Sequence, residues 1–429
     1  MRNRTACGPA AHLAITALIA IVWLVVSSGD QPFQNHVAEL LGVESVWLMS
    51  SSVLMLTRSA RIDRAFGDVE GTLWWHRVAG AVGIGLGFLH PYVLATSSDQ
   101  ASVFAHLLDP LTVFAIILTA WAAVTPTSRA AAWRGPLGWL ARRGYDRWRA
   151  MHGILAVYLV IAMVHGVADS ADVQAQPVLA AVYAAVCAAG LYALVEHLVV
   201  ARLRVRDVPG TVVGVERVGA DTTVVTIDPQ RPVDYAAGQF AEVGVPVSGE
   251  RPHPFTFTSA PGSPHLQVAV RSAGAGTARI VEGVAVGDRV TLGPARGLLR
   301  HQDAGPRQVW LAGGIGIAPF VSWVRDQGEV DPGHHVDLIW SSRDFETEPF
   351  VEELVAAALR HDWLDVHLHD TARNPRLTAG DVVTTAGGDI AAITVLACAS
   401  PAMISGLGAD LFAAGLPRPQ LRSEAFCYR

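Results

Sequence analysis

Apolar runs of membrane-spanning length alternate with charged loops through the first 205 residues of the chain. Six such runs lie near residues 11–27, 37–57, 74–95, 103–124, 150–168 and 178–200, and a helix of this length can cross a hydrocarbon core of about 30 Å. Arginines precede the first run and follow the second, fourth and sixth, whereas the other three loops hold aspartates and no arginine. The pattern predicts an all-α bundle of six membrane helices with both termini in the cytoplasm.

This pattern implies a multi-pass protein of the cell membrane, with the lipid bilayer as a partner. The alternative is that the first run is a cleaved signal peptide. No A-x-A-like cleavage site follows that run, and its removal would leave an odd number of spans.

After residue 205 the pattern changes to short strands rich in valine and threonine, broken by glycine and proline. Up to residue 305 this predicts a small antiparallel β-barrel. From residue 306 onward strands alternate with helices, which predicts a parallel α/β domain. We therefore expect three domains, at 1–205, 206–305 and 306–429.

Composition agrees with a chain that is partly embedded in a membrane. Hydrophobic residues make up 51% of the 429 residues and charged residues 16%, which argues against a wholly soluble protein. The formal net charge of -6 argues against a nucleic-acid partner. The four cysteines are scattered and form neither a disulfide framework nor a zinc-binding pattern.

Two pairs of histidines lie inside apolar runs. His76 and His90 are 14 residues apart in the third run, and His152 and His165 are 13 apart in the fifth. Fourteen residues of helix rise about 21 Å, so one imidazole of each pair lies near each face of the bilayer. The third and fifth helices run parallel in this topology, so His76 faces His152 on the inner side and His90 faces His165 on the outer side.

Neutral imidazoles from two helices are typical axial ligands of a haem iron. The four histidines are therefore predicted to ligate two b-type haems, one above the other. The alternative is that they are helix-end or satisfied core residues, although ionisable groups at membrane depth are functional by default.

Two details qualify this arrangement. Thirteen residues of ideal helix would set His152 and His165 about 140° apart, so the fifth helix must bend, carry a π-bulge or approach at another angle. Tyr158, between the two levels, is either a spacer between haems or a core aromatic. The third run also carries four glycines that either admit a flat group or pack helices closely: Gly80, Gly83, Gly85 and Gly87.

A glycine-rich turn follows an apolar strand in QVWLAGGIGIAP. Its glycines permit close approach of a pyrophosphate, and the helix near Pro319 presents free N–H groups; they are Gly313, Gly314 and Gly316. Taken alone, such a turn is a weak signal. After the next strand, Ser342 and Arg343 favour the 2′-phosphate of NADP, a preference that the adjacent Asp344 weakens.

Together these residues resemble the ferric reductase and NADPH oxidase superfamily, over nearly the whole chain. In that superfamily a six-helix haem-binding membrane domain is joined to a ferredoxin–NADP reductase-like module. The resemblance implies FAD, NADPH and two b-type haems as cofactors, and it implies His76, His90, His152 and His165 as the iron ligands.

The resemblance also assigns residues of the flavin and nicotinamide module. In HPFTFTS, His253 would meet the FAD phosphates, Phe255 the isoalloxazine and Thr256 the ring edge. The remaining implied FAD contacts are Pro254, Phe257, Thr258 and Ser259, together with Arg271 and Thr277 of VRSAGAGT. LAGGIGIAP and CASP imply NADPH contacts from Gly313, Gly314, Ile315, Gly316, Pro319, Cys398 and Pro401, besides Ser342 and Arg343. Phe426 resembles the aromatic that shields the flavin, and the implied catalytic residues are Cys398, Thr256 and Phe426.

Three positions depart from the superfamily pattern. Ala399 stands where glycine usually follows the cysteine, which concerns how closely nicotinamide approaches. Tyr428 is an alternative to Phe426 as the stacking ring. Leu94 replaces a histidine found one helical turn beyond the outer ligand in animal-type oxidases, which disfavours a dedicated superoxide producer.

The implied function is electron transfer across the membrane, from cytoplasmic NADPH through FAD and two haems to an acceptor on the outer face. The favoured form is a ferric-chelate or other metal reductase. The alternatives are an NADPH oxidase that reduces oxygen, and an electron-supply subunit for a partner protein or quinone.

Overall fold

A computed structural model describes residues 7–27, 32–57, 59–67, 69–93, 103–124, 145–200 and 207–424. The chain divides into two compact units, of which the first ends at Arg204 and the second begins at Val205.

The first unit is helical. In chain order its helices are α1 (Cys7–Val26), α2 (Phe33–Leu54), α3 (Ala60–Ala65), α4 (Val69–Val93), α5 (Val103–Val124), α6 (Tyr145–His152), α7 (Leu155–Asp169), α8 (Ala171–Ala175) and α9 (Pro177–Val195), which continues as a π-helical segment, Glu196–Val200.

Four stretches of the described helices are long and apolar enough to cross a membrane: Cys7–Val26, Phe33–Leu54, Ala150–Asp169 and Pro177–Val200. Helix α4 has the length, at 25 residues, but its imidazoles and glycines make it less apolar. Within α5 the apolar stretch that is described, Leu107–Trp121, is shorter. The first unit is thus a helical region with apolar helices, and the six-span bundle and its topology stay predictions.

The glycines of α4 pack this helix against α2. An added Cβ at Gly83 would lie 3.0 Å from Met49, and one at Gly87 would lie 2.9 Å from the hydroxyl of Ser45. The Ser45 hydroxyl also donates to the carbonyl of Gly83 at 2.7 Å. Small residues at a helix interface allow such close approach, whereas the position of Gly85 faces open space.

The helix is interrupted between His152 and His165, where the spacing predicts a bend, a π-bulge or another angle of approach. Helix α6 ends at His152, a turn follows, and α7 begins at Leu155. Around the turn, Ile154 N–H donates to the carbonyl of Met151, a three-residue hydrogen bond that tightens the helix. The fifth predicted run is therefore two helices rather than one.

The second unit begins with a six-stranded antiparallel sheet of order β4-β3-β6-β1-β2-β5. An isolated bridge between Phe257 and Val268 links the segment after β4 to β5; closure into a barrel stays a prediction. The strands are β1 (Val208–Val218), β2 (Thr222–Pro229), β3 (Phe240–Gly244), β4 (His253–Thr256), β5 (Leu266–Arg271) and β6 (Arg289–Leu292), with helix α10 (Ala275–Gly283) between β5 and β6.

A five-stranded parallel sheet of order β11-β10-β7-β8-β9 follows. Helices α11 and α12 cover one face, around buried Trp310, Trp323 and Trp340, and α13 and α14 cover the other. The elements are β7 (Arg307–Gly313), α11 (Ala318–Gln327), β8 (His335–Ser342), α12 (Val351–Arg360), β9 (Leu364–Asp370), α13 (Ala379–Thr385), β10 (Thr394–Cys398), α14 (Pro401–Ala413) and β11 (Leu421–Glu424).

Helix α11 joins the two sheets of the second unit. The Ser322 hydroxyl donates to the carbonyl of Ser259 at 2.8 Å, and the Trp323 indole donates to the carbonyl of Ala237 at 2.9 Å. Both donors are buried. The helix that follows the glycine-rich turn is therefore fixed against the end of the HPFTFTS segment.

Candidate cofactor sites

The four histidines of the apolar runs form two facing pairs. The ring centroids of His76 and His152 are 6.1 Å apart, with planes inclined at 83°. The centroids of His90 and His165 are also 6.1 Å apart, at 78°. A metal lies about 2 Å from an imidazole nitrogen and about 1 Å further from the ring centre, so each pair has room for one ion between its rings. The pairing is the one that the topology predicts.

Hydrogen bonds at Nδ1 orient three of the four rings. Nδ1 of His76 lies 3.0 Å from the carbonyl of Ser52, Nδ1 of His90 lies 2.7 Å from the carbonyl of Ala38, and Nδ1 of His165 lies 2.6 Å from the Asp169 carboxylate. A ring that donates through Nδ1 keeps the Nε2 lone pair for a metal, and metal-binding histidines usually have such a partner.

His152 is oriented differently. Its Nδ1 is buried and forms no hydrogen bond within the described residues. The indole of Trp148 stacks on the His152 ring, with centroids 4.7 Å apart and planes 23° apart. Stacking thus fixes the plane of this ring, and the orphaned nitrogen is a polar atom that an additional group can satisfy.

Tyr158 is a core residue. It is 3% exposed, packs with the aliphatic core of the helical unit and accepts a hydrogen bond from Thr112 at 3.1 Å. An added Cβ at Gly87 would lie 2.9 Å from its hydroxyl. These contacts favour the reading of Tyr158 as a core aromatic.

A buried polar cluster near the start of α2, which includes His36, was not predicted from the sequence. Nδ1 of His36 lies 2.8 Å from the Asp172 carboxylate, and both side chains are buried. Glu39 accepts hydrogen bonds from Ser170 and from the backbone N–H of Asp172. The signal that was available is the presence of acidic residues in and beside apolar runs.

The HPFTFTS segment forms β4 and the turn after it. Phe255 and Phe257 point into the core of the first sheet, and Thr256, Thr258 and Ser259 are also buried. The Tyr235 hydroxyl donates to the carbonyl of Ala260 at 2.7 Å, and burial raises the pKa of Tyr235. This segment is therefore rigidly placed.

His253 faces the first turn of α10. Its Nε2 lies 3.5 Å from the Glu250 carboxylate and forms no hydrogen bond among the described residues. An added Cβ at Gly276 would lie 2.8 Å from that nitrogen. An unpartnered imidazole beside a helix N-terminus can receive a phosphate, although Glu250 opposes an anion at this place.

Arg271 and Thr277, the other predicted phosphate contacts, bind protein groups. Arg271 forms a bidentate pair with Glu348, at 2.9 and 2.7 Å. The Thr277 hydroxyl accepts the backbone N–H of Ala273 at 2.8 Å. Arg271 would have to release or share Glu348 in order to bind a phosphate.

A cavity of about 350 Å³ lies at the carboxyl ends of the parallel strands. Gly313 and Gly314 at the end of β7, Ser342 and Arg343 at the end of β8, and Ser400 after β10 line it. Because β7 has β8 on one side and β10 on the other, the cavity lies where the strand order reverses, the usual ligand position in open α/β sheets. Arg343 is exposed and forms no ion pair within the part of the chain that the structure describes.

The glycine turn is packed against the end of β10. An added Cβ at Gly316 would lie 2.1 Å from the carbonyl oxygen of Cys398, and one at Gly313 would lie 2.8 Å from the methyl group of Ala399. Gly314 has a φ of 52°, which favours glycine. Cys398 itself is buried, and the departure at Ala399 places a methyl group against the turn.

Glu348 is a cavity residue that the sequence did not reveal. Its buried carboxylate accepts hydrogen bonds from both Arg271 and Ser342. It follows a short 3₁₀ segment, Phe345–Thr347, and belongs to no motif. Ile315, Pro319 and Pro401 lie in the turns that begin α11 and α14, whereas Phe426, Tyr428 and Leu94 lie outside the described residues.

The chain is similar to several reductase components of known enzyme systems. No family model matches the chain. A stretch of 140 residues is 33% identical to the reductase subunit of an aromatic O-demethylase from Amycolatopsis, covering 31% of this chain and 42% of that protein. A reductase component of the naphthalene 1,2-dioxygenase/salicylate 5-hydroxylase systems of Ralstonia is 26% identical over 52% of this chain and 69% of its own length.

Among solved structures, a flavohemoglobin from Malassezia yamatoensis, determined with bound FAD and heme, matches with a TM-score of 0.52. It is 16% identical, and the match covers 96% of this chain and 98% of that one. The second unit has a ferredoxin–NADP reductase-like fold. These relatives do not distinguish the ferric reductase and NADPH oxidase superfamily from other proteins with this module. The chain spans about two fifths of the length of the Amycolatopsis relative.

Proposed function

We propose that the protein is a membrane-bound NAD(P)H-dependent reductase that supplies electrons to a partner protein or quinone. The observation that carries this proposal is that one chain holds two facing histidine pairs in its apolar helices and a dinucleotide-type cavity in its parallel sheet. The two relatives named above are a reductase subunit and a reductase component of larger enzyme systems, which supports an electron-supply role over a self-sufficient terminal reductase.

FAD, NADPH and two b-type haems are the cofactors we assign. When bound, FAD would accept a hydride from NADPH, and the haems would carry its electrons one at a time. The chain's part is to hold them. Backbone N–H groups at Gly313 and Gly314 would bind the pyrophosphate of NADPH, and Arg343 its 2′-phosphate. Cys398 would lie beside the nicotinamide.

The flavin would be held by the HPFTFTS segment and the start of α10. His253 is oriented toward that helix N-terminus, where an FAD phosphate would be stabilised. Thr256 and Phe255 would border the ring system, with Phe426 as the aromatic shield. Anchoring of α11 on Ala237 and Ser259 keeps the nicotinamide and flavin segments in a fixed relation.

Each histidine pair would hold one iron, with both imidazoles in their neutral form. Carbonyl and carboxylate acceptors at Nδ1 orient His76, His90 and His165 and raise their basicity as ligands. His76 with His152 would form the inner site, and His90 with His165 the outer site. We assign the protein to the cell membrane, with cytoplasmic termini and an acceptor reached from the outer haem.

The experiment uses full-length protein loaded with FAD and haem. It is reduced with NADPH without oxygen and then mixed separately with Fe(III)-chelate, air, or a soluble quinone analogue. We expect slow haem reoxidation by chelate and by air, relative to the rate of reduction. Reoxidation by the quinone analogue at the rate of reduction identifies quinone as the acceptor, and slow reoxidation by all three indicates a partner protein.

Two results would overturn the electron-supply role. Catalytic reoxidation by Fe(III)-chelate alone would make the protein a ferric reductase, and catalytic reoxidation by air alone would make it an oxidase. Protein with His90→Leu serves as the control, because it retains NADPH-driven flavin reduction but lacks the proposed outer iron site.

A further inference from the structure

A group of histidines and aspartates lies at the amino ends of the parallel strands. His335 and Asp337 share one face of β8, and Asp365 and His367 share the same face of the edge strand β9, since alternate residues point the same way. The register pairs Asp337 with Asp365. Ser341 and Ser342, which line the cavity, lie at the opposite end of β8, so this group is separate from the dinucleotide site.

The donor atoms of this group converge. Nε2 of His335 lies 3.2 Å from Oδ2 of Asp365 and 4.0 Å from Oδ1 of Asp337. Nε2 of His367 lies 3.1 Å from the same Oδ1. Zinc bonds to imidazole nitrogen and carboxylate oxygen are about 2.0–2.2 Å long, so two ligands of one ion lie roughly 3–4 Å apart. The two separations of His335 fall within that range, and His335, Asp337 and Asp365 together bring their donor atoms within 4.8 Å of one another.

Hydrogen bonding accounts for only part of the arrangement. The His367 ring donates to the Asp337 carboxylate in a regular hydrogen bond. Nε2 of His335 approaches two carboxylates, yet no hydrogen bond accompanies either approach among the described residues. His335 is therefore close to two carboxylates without a regular hydrogen bond to either of them.

Charge also favours a cation. The two carboxylates face one permanent positive charge, the Arg307 guanidinium, which lies 3.1 Å from Oδ2 of Asp337. Asp337 is buried, and Asp365 is 61% exposed, so the group is both partly desolvated and open to entry from solvent. One imidazole with two carboxylates suits a borderline divalent transition metal rather than Mg²⁺ or Ca²⁺, which take oxygen ligands alone.

We propose that His335, Asp337 and Asp365 form a binding site for a divalent transition metal of the Zn²⁺ class, with His367 hydrogen-bonded to Asp337 beside it. The ion would join the central strand β8 to the edge strand β9, with water completing the coordination. Its role is to stabilise the edge of the sheet, because an ion that binds the folded state and not the unfolded chain stabilises the fold by mass action.

The test is a zinc titration of full-length, FAD- and haem-loaded protein that has been freed of metal with a chelator. Isothermal titration with ZnCl₂ in excess Mg²⁺ should find one more tight site in wild type than in Asp365→Asn or His335→Gln. Each change should weaken that site by about tenfold or more, since it removes a direct ligand. Asp365 is exposed and His335 is partly exposed, so these variants are expected to fold.

His369→Gln is the matched control. His369 lies on the same strand and face, but its Nε2 lies 2.8 Å from the carbonyl of Pro375 instead of facing the group, so zinc binding should be unchanged. Equal zinc binding by wild type, Asp365→Asn and His335→Gln, or no zinc binding by any of them, would show that the group is a network of ion pairs only.

Discussion

Gly316→Ala tests how the glycine turn is held against the end of β10. The added Cβ would lie 2.1 Å from the carbonyl oxygen of Cys398 and 2.8 Å from its carbonyl carbon. Ordinary contacts begin near 3.4 Å. Because both neighbours are backbone atoms, no side-chain rotation relieves the clash, and the turn or the strand end must move by roughly 1 Å in a close-packed interior.

The expected cost follows from that displacement. Overpacking a well-packed site usually costs about 1–3 kcal/mol, and we expect the upper half of that range because a strand end would have to move. The same movement shifts Gly313 and Gly314, whose backbone lines the cavity. A lost hydrogen bond to a charged phosphate is worth about 1.5–3 kcal/mol, so NADPH affinity should fall about tenfold or more.

Hydrogen exchange with mass spectrometry measures the stability of this sheet apart from the helical unit. Peptides covering 307–327 and 394–413 should exchange faster in Gly316→Ala, and an NADPH titration should show weaker binding. Gly406→Ala is the control, since its Cβ meets nothing within 4 Å and alanine stabilises a helix by up to about 1 kcal/mol. Wild-type exchange and NADPH affinity in Gly316→Ala would refute the packing argument.

Three further outcomes are expected. His90→Leu should halve the haem content in a pyridine haemochrome assay while NADPH still reduces the flavin. The control His12→Phe keeps the aromatic contacts of His12 with neighbouring tryptophans and should leave the haem content unchanged. Unchanged haem content in His90→Leu would refute the assignment of His90 as a ligand. Arg343→Ala should weaken NADPH binding about tenfold or more and NADH binding little, because a bond to a charged phosphate is worth about 1.5–3 kcal/mol; equal losses in two titrations would reverse the NADPH preference. Burial lowers the pKa of His301 to about 4, below its unfolded value of about 6.5. As the pH falls, the unfolded chain therefore takes up the proton before the folded one. The contribution of neutral His301 to the free energy of unfolding is full above about pH 6.5, and up to about 3 kcal/mol of it is lost as the pH falls to about 4. His301→Phe should flatten this part of a denaturation profile, whereas the half-exposed control His265→Phe should leave it as in wild type.

Local sequence patterns predicted much of the fold because they reflect interactions between neighbouring residues. The strand, turn and helix expected around Pro319 appear as β7, a 3₁₀ turn and α11. The apolar strand buries both faces, and the glycines allow the turn, so both signals lie within a few neighbouring residues. Helices α13 and α14 carry no comparable sequence signal. Their apolar side chains are recognised as core residues only because they pack against the sheet.

The site was predictable where a motif marks it and unpredictable where distant residues meet. Arg271 was expected at a phosphate, but the structure pairs it with Glu348, which lies 77 residues away in the sequence. No pattern in the sequence indicates that two residues so far apart along the chain will be in contact. The same holds for the metal-type group, because its residues become neighbours only through the parallel pairing of β8 with β9.

The orientation of His76 and His90 shows why a motif search does not find backbone hydrogen-bond acceptors. His76 and His90 are 14 residues apart, and so are their acceptors Ser52 and Ala38 on the antiparallel helix α2. Ser52 lies in the last turn of α2, where carbonyls lack a partner within the helix. Near Ala38, Gly42 allows the His90 ring to approach, since an added Cβ there would lie 3.3 Å from Nδ1. Matching helical spacing and one missing side chain therefore orient two rings without a recognisable sequence signal.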